Sequence, residues 1–325
     1  MMLSEPSITT IANNNSLQLI RMEYTAVIRT LGTAGEKYQT LLNSLVNQTI
    51  KPEAIIVYIA EGYPIPKETA GIEQYVYVKK GMVAQRALQY EEVKTEYILF
   101  LDDDVFLPPN AIATLYGQMT EQLADVISPD VFPNSERSTK QEIWLMFSGR
   151  MFVRRHDKHW GYKVMRNAGY SYNKFPKPIM LSQTNAGPCS LCRKVDFLNI
   201  HFEEESWLDE MPYALGEDQV MFYKMYLNGL KVLTSSNSGI IHLDAGTATR
   251  NKEKEQVLAY CDCRFKTIFW RKFIFKNANI VNKMLDMICF GYTMCINLLL
   301  AVIKRDWKIL EKKYSGYKSG FEFKI

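Results

Sequence analysis

Tyr97-Ile98-Leu99-Phe100-Leu101 runs without a break into Asp102-Asp103-Asp104. Five apolar or aromatic residues in a row describe a short strand buried on both faces, as in the middle of a mostly parallel sheet. Three carboxylates then sit at its carboxyl end. Adjacent carboxylates repel, which is tolerable at the end of a buried strand only where solvent or a cation compensates it. Open α/β sheets bind ligands just outside the carboxyl ends of their strands, so the triplet points to a divalent cation carrying a phosphorylated ligand. A solvated turn or helix cap, where Asp is common, is the plain alternative. Pro108-Pro109 end the strand and can start a helix from its first turn.

On the N-terminal side, residues 1–23 read as a loose leader, polar and Asn-rich at Asn13-Asn14-Asn15. Tyr24 to Thr30 is a first strand. Tyr38, Leu41, Leu42, Leu45 and Val46 then recur at helical spacing, the apolar face of an amphipathic helix. Ala54 to Ala60 is a second buried strand, and strand, helix, strand with short links predicts a right-handed parallel crossover. Tyr75 to Val78 is a third strand, and Gly81 precedes an expected helix over 82–93 with Ala84, Ala87 and Leu88 inward. Asp125 to Ser128 is another strand. Residues 24–130 therefore form a nucleotide-binding half sheet without a Gly-x-Gly-x-x-Gly or Gly-Lys-Ser/Thr loop, so a bound phosphate must be held by metal and side chains.

On the C-terminal side, residues 131–250 form an expected acceptor half. Between Gln141 and Ser182, aromatics (Trp144, Phe147, Phe152, Trp160, Tyr162, Tyr170, Tyr172) mix with bases (Arg150, Arg154, Arg155, Lys158, Lys163, Arg166). Aromatic faces stack on sugar rings and Arg forks hold phosphate. A nucleic-acid surface or an ordinary exposed excursion with snorkelling bases would use the same residue types. Thr184-Asn185-Ala186-Gly187-Pro188 is a turn, followed by a strand over 190–193. Glu203-Glu204-Glu205 reads as a solvated face. Gly216-Glu217-Asp218 opens a helix with Val220, Met221, Met225 and Leu227 inward, stopped by Asn228-Gly229. Glu217 and Asp218 either serve chemistry or stabilise the helix dipole. As helix neighbours about 100° apart they are not expected to face one site together. Lys231 to Thr234 and residues 239–241 read as strands, the latter ending at His242, a structural His or a metal ligand.

These residues, in this order, resemble the family 2 glycosyltransferases of the GT-A fold, an α/β architecture with a mostly parallel central sheet flanked by helices. The resemblance runs from about Tyr24 to Lys272. It rests on the strand to Thr30, Leu45-Val46-Asn47-Gln48-Thr49, Gln85-Arg86-Ala87, Asp102-x-Asp104, Gly216-Glu217-Asp218, and the basic aromatic segment Arg264 to Lys272. It implies that Asp102 and Asp104 hold a nucleotide-sugar diphosphate, Asp104 mainly through Mn2+ or Mg2+. His242 completes the metal shell, Arg86 lies near the nucleotide or diphosphate, and Asp218 is the general base. Thr30, Glu61 and Asp103 join the donor side, and Trp144, Trp160, Asn185 and Glu217 the acceptor region. The family's paired Asp after the second strand is missing; Glu61-Gly62 stands there, which leaves the nucleotide open, with UDP favoured. No Gln-x-x-Arg-Trp of processive synthases occurs, so single-sugar transfer by inversion to a glycan or a lipid-diphosphate-linked acceptor is expected, as in bacterial surface-polysaccharide synthesis. A sugar nucleotidyltransferase and a degenerate nucleotide-sugar-binding protein are the rivals. Gly32-Thr33-Ala34-Gly35-Glu36-Lys37 only faintly echoes the former's glycine-rich loop.

The chain has 325 residues, 47% of them hydrophobic, enough for one large α/β domain with an appendage. Residues 251–325 carry 15 Lys and Arg against 7 Asp and Glu, while the first 250 carry 24 against 28. A basic tail on a slightly acidic body suits an anionic surface. Met287 to Ile303 is 17 residues without a charge, flanked by Lys283 and Lys304-Arg305. An interfacial membrane helix pair, a packed helix and a true span all fit it. Of these, the interfacial pair is expected. Cys189, Cys192, Cys261, Cys263, Cys289 and Cys295 read as reduced structural cysteines rather than a zinc site. The start lacks a secretory pattern, so the expected location is cytoplasmic, at the inner face of the plasma membrane, without nucleic-acid partners.

Overall fold

A computed structural model describes residues 22–131, 138–148, 159–172, 177–213, 215–243 and 251–325. The leader to Arg21 and the bases Arg150, Arg154, Arg155 and Lys158 lie outside the described residues. The elements run β1 (Tyr24–Thr30), α1 (Glu36–Val46), β2 (Ala54–Ala60), β3 (Glu73–Val78), β4 (Tyr97–Asp102), β5 (Val105–Phe106), α2 (Ala111–Glu121), β6 (Val126–Pro129) and α3 (Thr139–Phe147). Then follow β7 (Tyr162–Val164), β8 (Tyr170–Tyr172), β9 (Ile179–Leu181), β10 (Cys189–Arg193), α4 (Lys194–Leu198), α5 (Glu217–Leu227), β11 (Val232–Ser235) and β12 (Ile241–His242). Three long helices close the chain: α6 (Lys252–Phe269), α7 (Ile280–Ile303) and α8 (Trp307–Glu322).

Eight strands form one sheet in the order β3-β2-β1-β4-β10-β6-β11-β9. β3, β2, β1 and β4 are parallel, whereas β10 is antiparallel to both β4 and β6. Strand alternation splits the core. Ile98 and Phe100 face one apolar cluster with Val220, Met221 and Met225 of α5, and Leu99 and Leu101 face the other with Leu41 and Leu45 of α1. From β1 the chain crosses to β2 on one side and later returns to β4 on the other. That reversal opens a crevice at the carboxyl ends of β1 and β4, where Thr30 and Asp102 stand. A mostly parallel mixed sheet flanked by helices, with a C-terminal helical region, is the GT-A α/β architecture.

Four expectations change. Residues 82–93 form turns rather than a helix. Gln85 N and Ala87 N make one helical turn onto the carbonyls of Gly81 and Val83. Tyr90, with φ of 52°, then leaves the helical path and places its hydroxyl on Arg86 O, the carbonyl a continuing helix would need for its own ladder. Asp209 closes the start by accepting from Val83 N and Ala84 N at 3.0 and 2.9 Å.

Glu205 is not on a solvated face. It is fully buried, with Lys224 and Lys272 both at 2.9 Å from Oε1 and the Trp207 indole N–H at 2.8 Å from Oε2. Two ammoniums and an indole supply the pairing that a buried carboxylate requires. Leu227, the last residue of α5, is exposed rather than inward. Finally, the tail is three helices, and α6 is core: Cys261, Phe265 and Ile268 share the cluster that holds α5. α8 lies tightly on α6 because Gly316 and Gly320 bring its backbone against Tyr260 O and the Thr267 side chain, where a Cβ would collide.

Candidate active site

Asp218 is held through both of its carboxylate oxygens. Gly216 enters α5 with a left-handed φ of 80°, which turns the first helical residues toward the crevice. Asp218 Oδ1 accepts from Arg86 at 2.9 Å, and Oδ2 accepts from Gly187 N at 3.0 Å. A Cβ on residue 187 would overlap the Asp218 carboxylate, so this approach needs glycine. Arg86 is 2% exposed; it also donates to Gly187 O at 3.1 Å and pairs with Glu217 Oε1 at 2.5 Å. Glu217 and Asp218 thus meet on one guanidinium, contrary to the helical-wheel expectation. The longer Glu side chain covers the angle from the first turn of the helix.

Arg29 of β1 joins this cluster to the acidic triplet. Its Nε donates to Asp102 Oδ1 at 2.6 Å, and another guanidinium nitrogen to Glu217 Oε1 at 2.7 Å. Three carboxylates (Asp102, Glu217 and Asp218) therefore share two guanidinia, and the cluster is one negative charge in excess. Burial, opposed by Arg29 and Arg86, pushes Glu217 up to about 8. Burial also works against the charge of Asp218, but Arg86 and Arg29 outweigh it and hold that carboxyl below the usual range. A proton retained on Glu217 balances the set and leaves Asp218 ionised.

The rest of the triplet divides its tasks. Asp103 accepts from the Thr30 hydroxyl at 2.5 Å; burial first, with repulsion from Asp102 and Asp104, raises it to about 6 although the Thr30 bond opposes. Asp104 Oδ2 lies 3.0 Å from His242 Nε2, brought together by the pairing of His242 with Val105 between β12 and β5. Among the described residues no group of three or more His, Cys, Asp or Glu is placed to hold a metal ion. A carboxylate and an imidazole at contact distance nevertheless fit Mn2+ or Mg2+ when substrate phosphates complete the shell, since such ions are commonly held by one or two side chains plus phosphate.

A cavity of about 670 Å3 runs from these residues into the C-terminal helices, within the range of ligand pockets. Asp102, Asn185, Asp218 and His242 line it at one end, and Thr293, Asn297 and Leu300 of α7 at the other. Asn185 is buried and anchored by its Nδ2 to Leu233 O at 3.1 Å. Thr30, Arg86, Asp103, Asp104 and Glu217 stand behind the wall, bonded to it or to one another. Glu61 is exposed at the end of β2, and Trp144 and Trp160 do not line the cavity. Trp160 stacks edge-on against Tyr226, 6.0 Å between centroids, while Trp144 lies half-exposed on α3 beside Phe147. Two further residues of the site, Arg29 and Gly187, are not among those the sequence marks. A lone Arg inside an apolar strand (Ala26-Val27-Ile28-Arg29) is the signal that could have found the first.

A reversed strand order with acidic groups at the strand ends, a carboxylate at the pocket wall and a cation-compatible pair are together consistent with a glycosyltransferase of the GT-A class. The family model of glycosyl transferase family 2 matches residues 76–175, which include Arg86 and the acidic triplet. The match supports a family 2 glycosyltransferase. Asp218 and His242 lie beyond the matched segment, and their roles rest on the geometry. No curated protein matches the chain.

Proposed function

We propose that the protein is an inverting, metal-dependent glycosyltransferase that moves a single sugar from a UDP-sugar to a hydroxyl of a glycan or lipid-linked acceptor. The proposed setting is surface-polysaccharide synthesis at the inner face of the plasma membrane, with the tail touching the bilayer. The observation that carries the reading is the Asp218 carboxylate, aimed by Arg86 and Gly187 N, on the same cavity wall as Asp102 and His242. Asp218 accepts the proton of the acceptor hydroxyl as its oxygen bonds to the anomeric carbon. The bond from that carbon to the diphosphate oxygen breaks in the same displacement, and the nucleoside diphosphate leaves with the electron pair. One in-line displacement inverts the centre. Asp104 and His242 would hold the Mn2+ or Mg2+, whose charge neutralises the leaving diphosphate. Arg29, fixed between Asp102 and Glu217, keeps the donor end and the base end in one register.

The test is thermal stabilisation of the purified chain by a panel of nucleoside diphosphates, each with and without Mn2+. Saturation at about 100 times Kd adds about 2.7 kcal/mol to stability. A Mn2+-dependent rise in Tm with UDP supports the site; no rise with any nucleotide overturns it.

A further inference from the structure

α7 is apolar on the face it turns away from the protein as well as on part of the face it turns inward. Its inward stripe mixes apolar residues, with Phe290 and Ala301 buried, and polar ones: Asp286 is 2% exposed and accepts from Arg166 at 2.6 Å, Thr293 accepts from Asn167 at 3.1 Å, and Asn297 donates to Tyr317 Oη at 2.9 Å. Its outward stripe is apolar throughout: Val281, Met284, Leu285, Ile288, Tyr292, Leu299, Val302 and Ile303 are all more than a third exposed. With the exposed Cys295 between Tyr292 and Leu299, these positions recur at helical spacing, so one face of a 24-residue helix is presented away from the protein. Water does not favour such a face.

A second element extends it. α3 buries none of its side chains, and Ile143, Trp144 and Phe147 are each about half exposed. The Tyr292 hydroxyl, on the outward stripe of α7, donates to Phe147 O at 2.7 Å, so the two apolar faces adjoin. The ends of α7 are cationic and aromatic: Lys283 lies near one, and the exposed Lys304, Arg305, Trp307 and Lys308 lie at the other. Apolar centre, basic ends and an interfacial Trp complement an anionic bilayer. The length and composition of α7 also suit a membrane span. Its inward polar stripe, bonded to the protein from Asp286 to Asn297, instead keeps one side of the helix against the protein.

We propose that α7 and α3 form one face that docks the protein flat on an anionic bilayer. It deepens the transferase reading and in part rests on it, because the inward stripe of the same helix walls the catalytic cavity at Thr293, Asn297 and Leu300. An acceptor anchored in that bilayer stands about one helix diameter, ~10 Å, from the cavity.

The experiment is flotation of the full chain with vesicles of phosphatidylcholine and phosphatidylglycerol, beside vesicles of phosphatidylcholine alone, using wild type and the double variant Ile288→Glu, Leu299→Glu. Both substituted positions are exposed, and an unchanged far-UV spectrum and Tm verify folding. Expected are wild-type flotation with the anionic vesicles, at least tenfold less with the neutral ones, loss of flotation in the double variant, and release of bound wild type by alkaline carbonate. A wild type that floats with neither vesicle, or a double variant that floats equally, overturns the docking face. Resistance to carbonate overturns the flat orientation in favour of a span. A lipid-free dimer that the double variant makes monomeric, with no flotation, assigns the face to a second copy of the chain and equally overturns the proposal. The nucleotide-induced rise in Tm is read on the same samples, so failure of the donor site is seen separately from failure of docking.

Discussion

Asp218, the proposed base, is positioned by two neighbours. Arg86 holds one carboxylate oxygen and Gly187 N the other. Asp218→Asn is expected to lower transfer by about 10²- to 10⁴-fold, the range of a general base, while leaving the nucleotide-induced Tm shift unchanged; equal turnover by the variant would remove Asp218 from the mechanism. Gly187→Ala forces the carboxylate off its backbone partner, so kcat should fall with donor affinity little altered, as read by steady-state kinetics. Glu217 adds a pH dependence. Its pKa in the folded protein, raised to about 8, exceeds the ordinary glutamate value of about 4.3. The folded state keeps a proton that the unfolded chain has already released, so this contribution to stability is complete below about 4.3 and is lost as pH rises through about 8. Tm measured across this window should decline, and Glu217→Gln should flatten the decline.

At the scale of elements, buried charges join parts of the chain that lie far apart in sequence. Asp209 caps the turn that carries Arg86, and Glu205 ties α5 to the segment after α6 through Lys224 and Lys272. Removing one member of a buried ionic cluster leaves its partners uncompensated, which costs about 3–5 kcal/mol. Glu205→Ala should therefore lower unfolding free energy by that amount in urea titration, whereas Glu203→Ala, on an exposed neighbour, should stay near zero. The strand elements were legible because each is a short apolar run between turn residues, as Ala54 to Ala60 is. The helix expected over 82–93 was misread for a physical reason: apolar spacing reports what a segment can do alone, and the Tyr90 hydroxyl on Arg86 O and the Asp209 cap are contributions from tertiary structure. The Glu203-Glu204-Glu205 run likewise looked solvated because its two lysine partners stand 19 and 67 residues away from Glu205.

At the scale of the molecule, the carboxyl end of β4 carries the acidic triplet, and one helix, α5, brings Asp218, the proposed base, beside it. If Asp104 and His242 hold the cation, Asp104→Ala should abolish the Mn2+-dependent part of nucleotide binding, and EDTA should do the same to the wild type; calorimetry with UDP in the two buffers measures both. The sequence by itself determined the buried strands, the acidic triplet at the end of β4, the Gly216 start of α5 and the charge-free run of α7, since each depends on residues adjacent in the chain. The tertiary structure decided which of those groups compensate one another. Arg29 and Glu217 are 188 residues apart, and only the strand order that sets β1 beside β4, with α5 packed across them, places Asp102 and Glu217 on the one guanidinium of Arg29. The outward apolar face of α7 belongs with that second kind of fact: an apolar run shows in sequence, but which side of it meets the protein is settled by Arg166, Asn167 and Tyr317, whose positions depend on the packing of the whole chain.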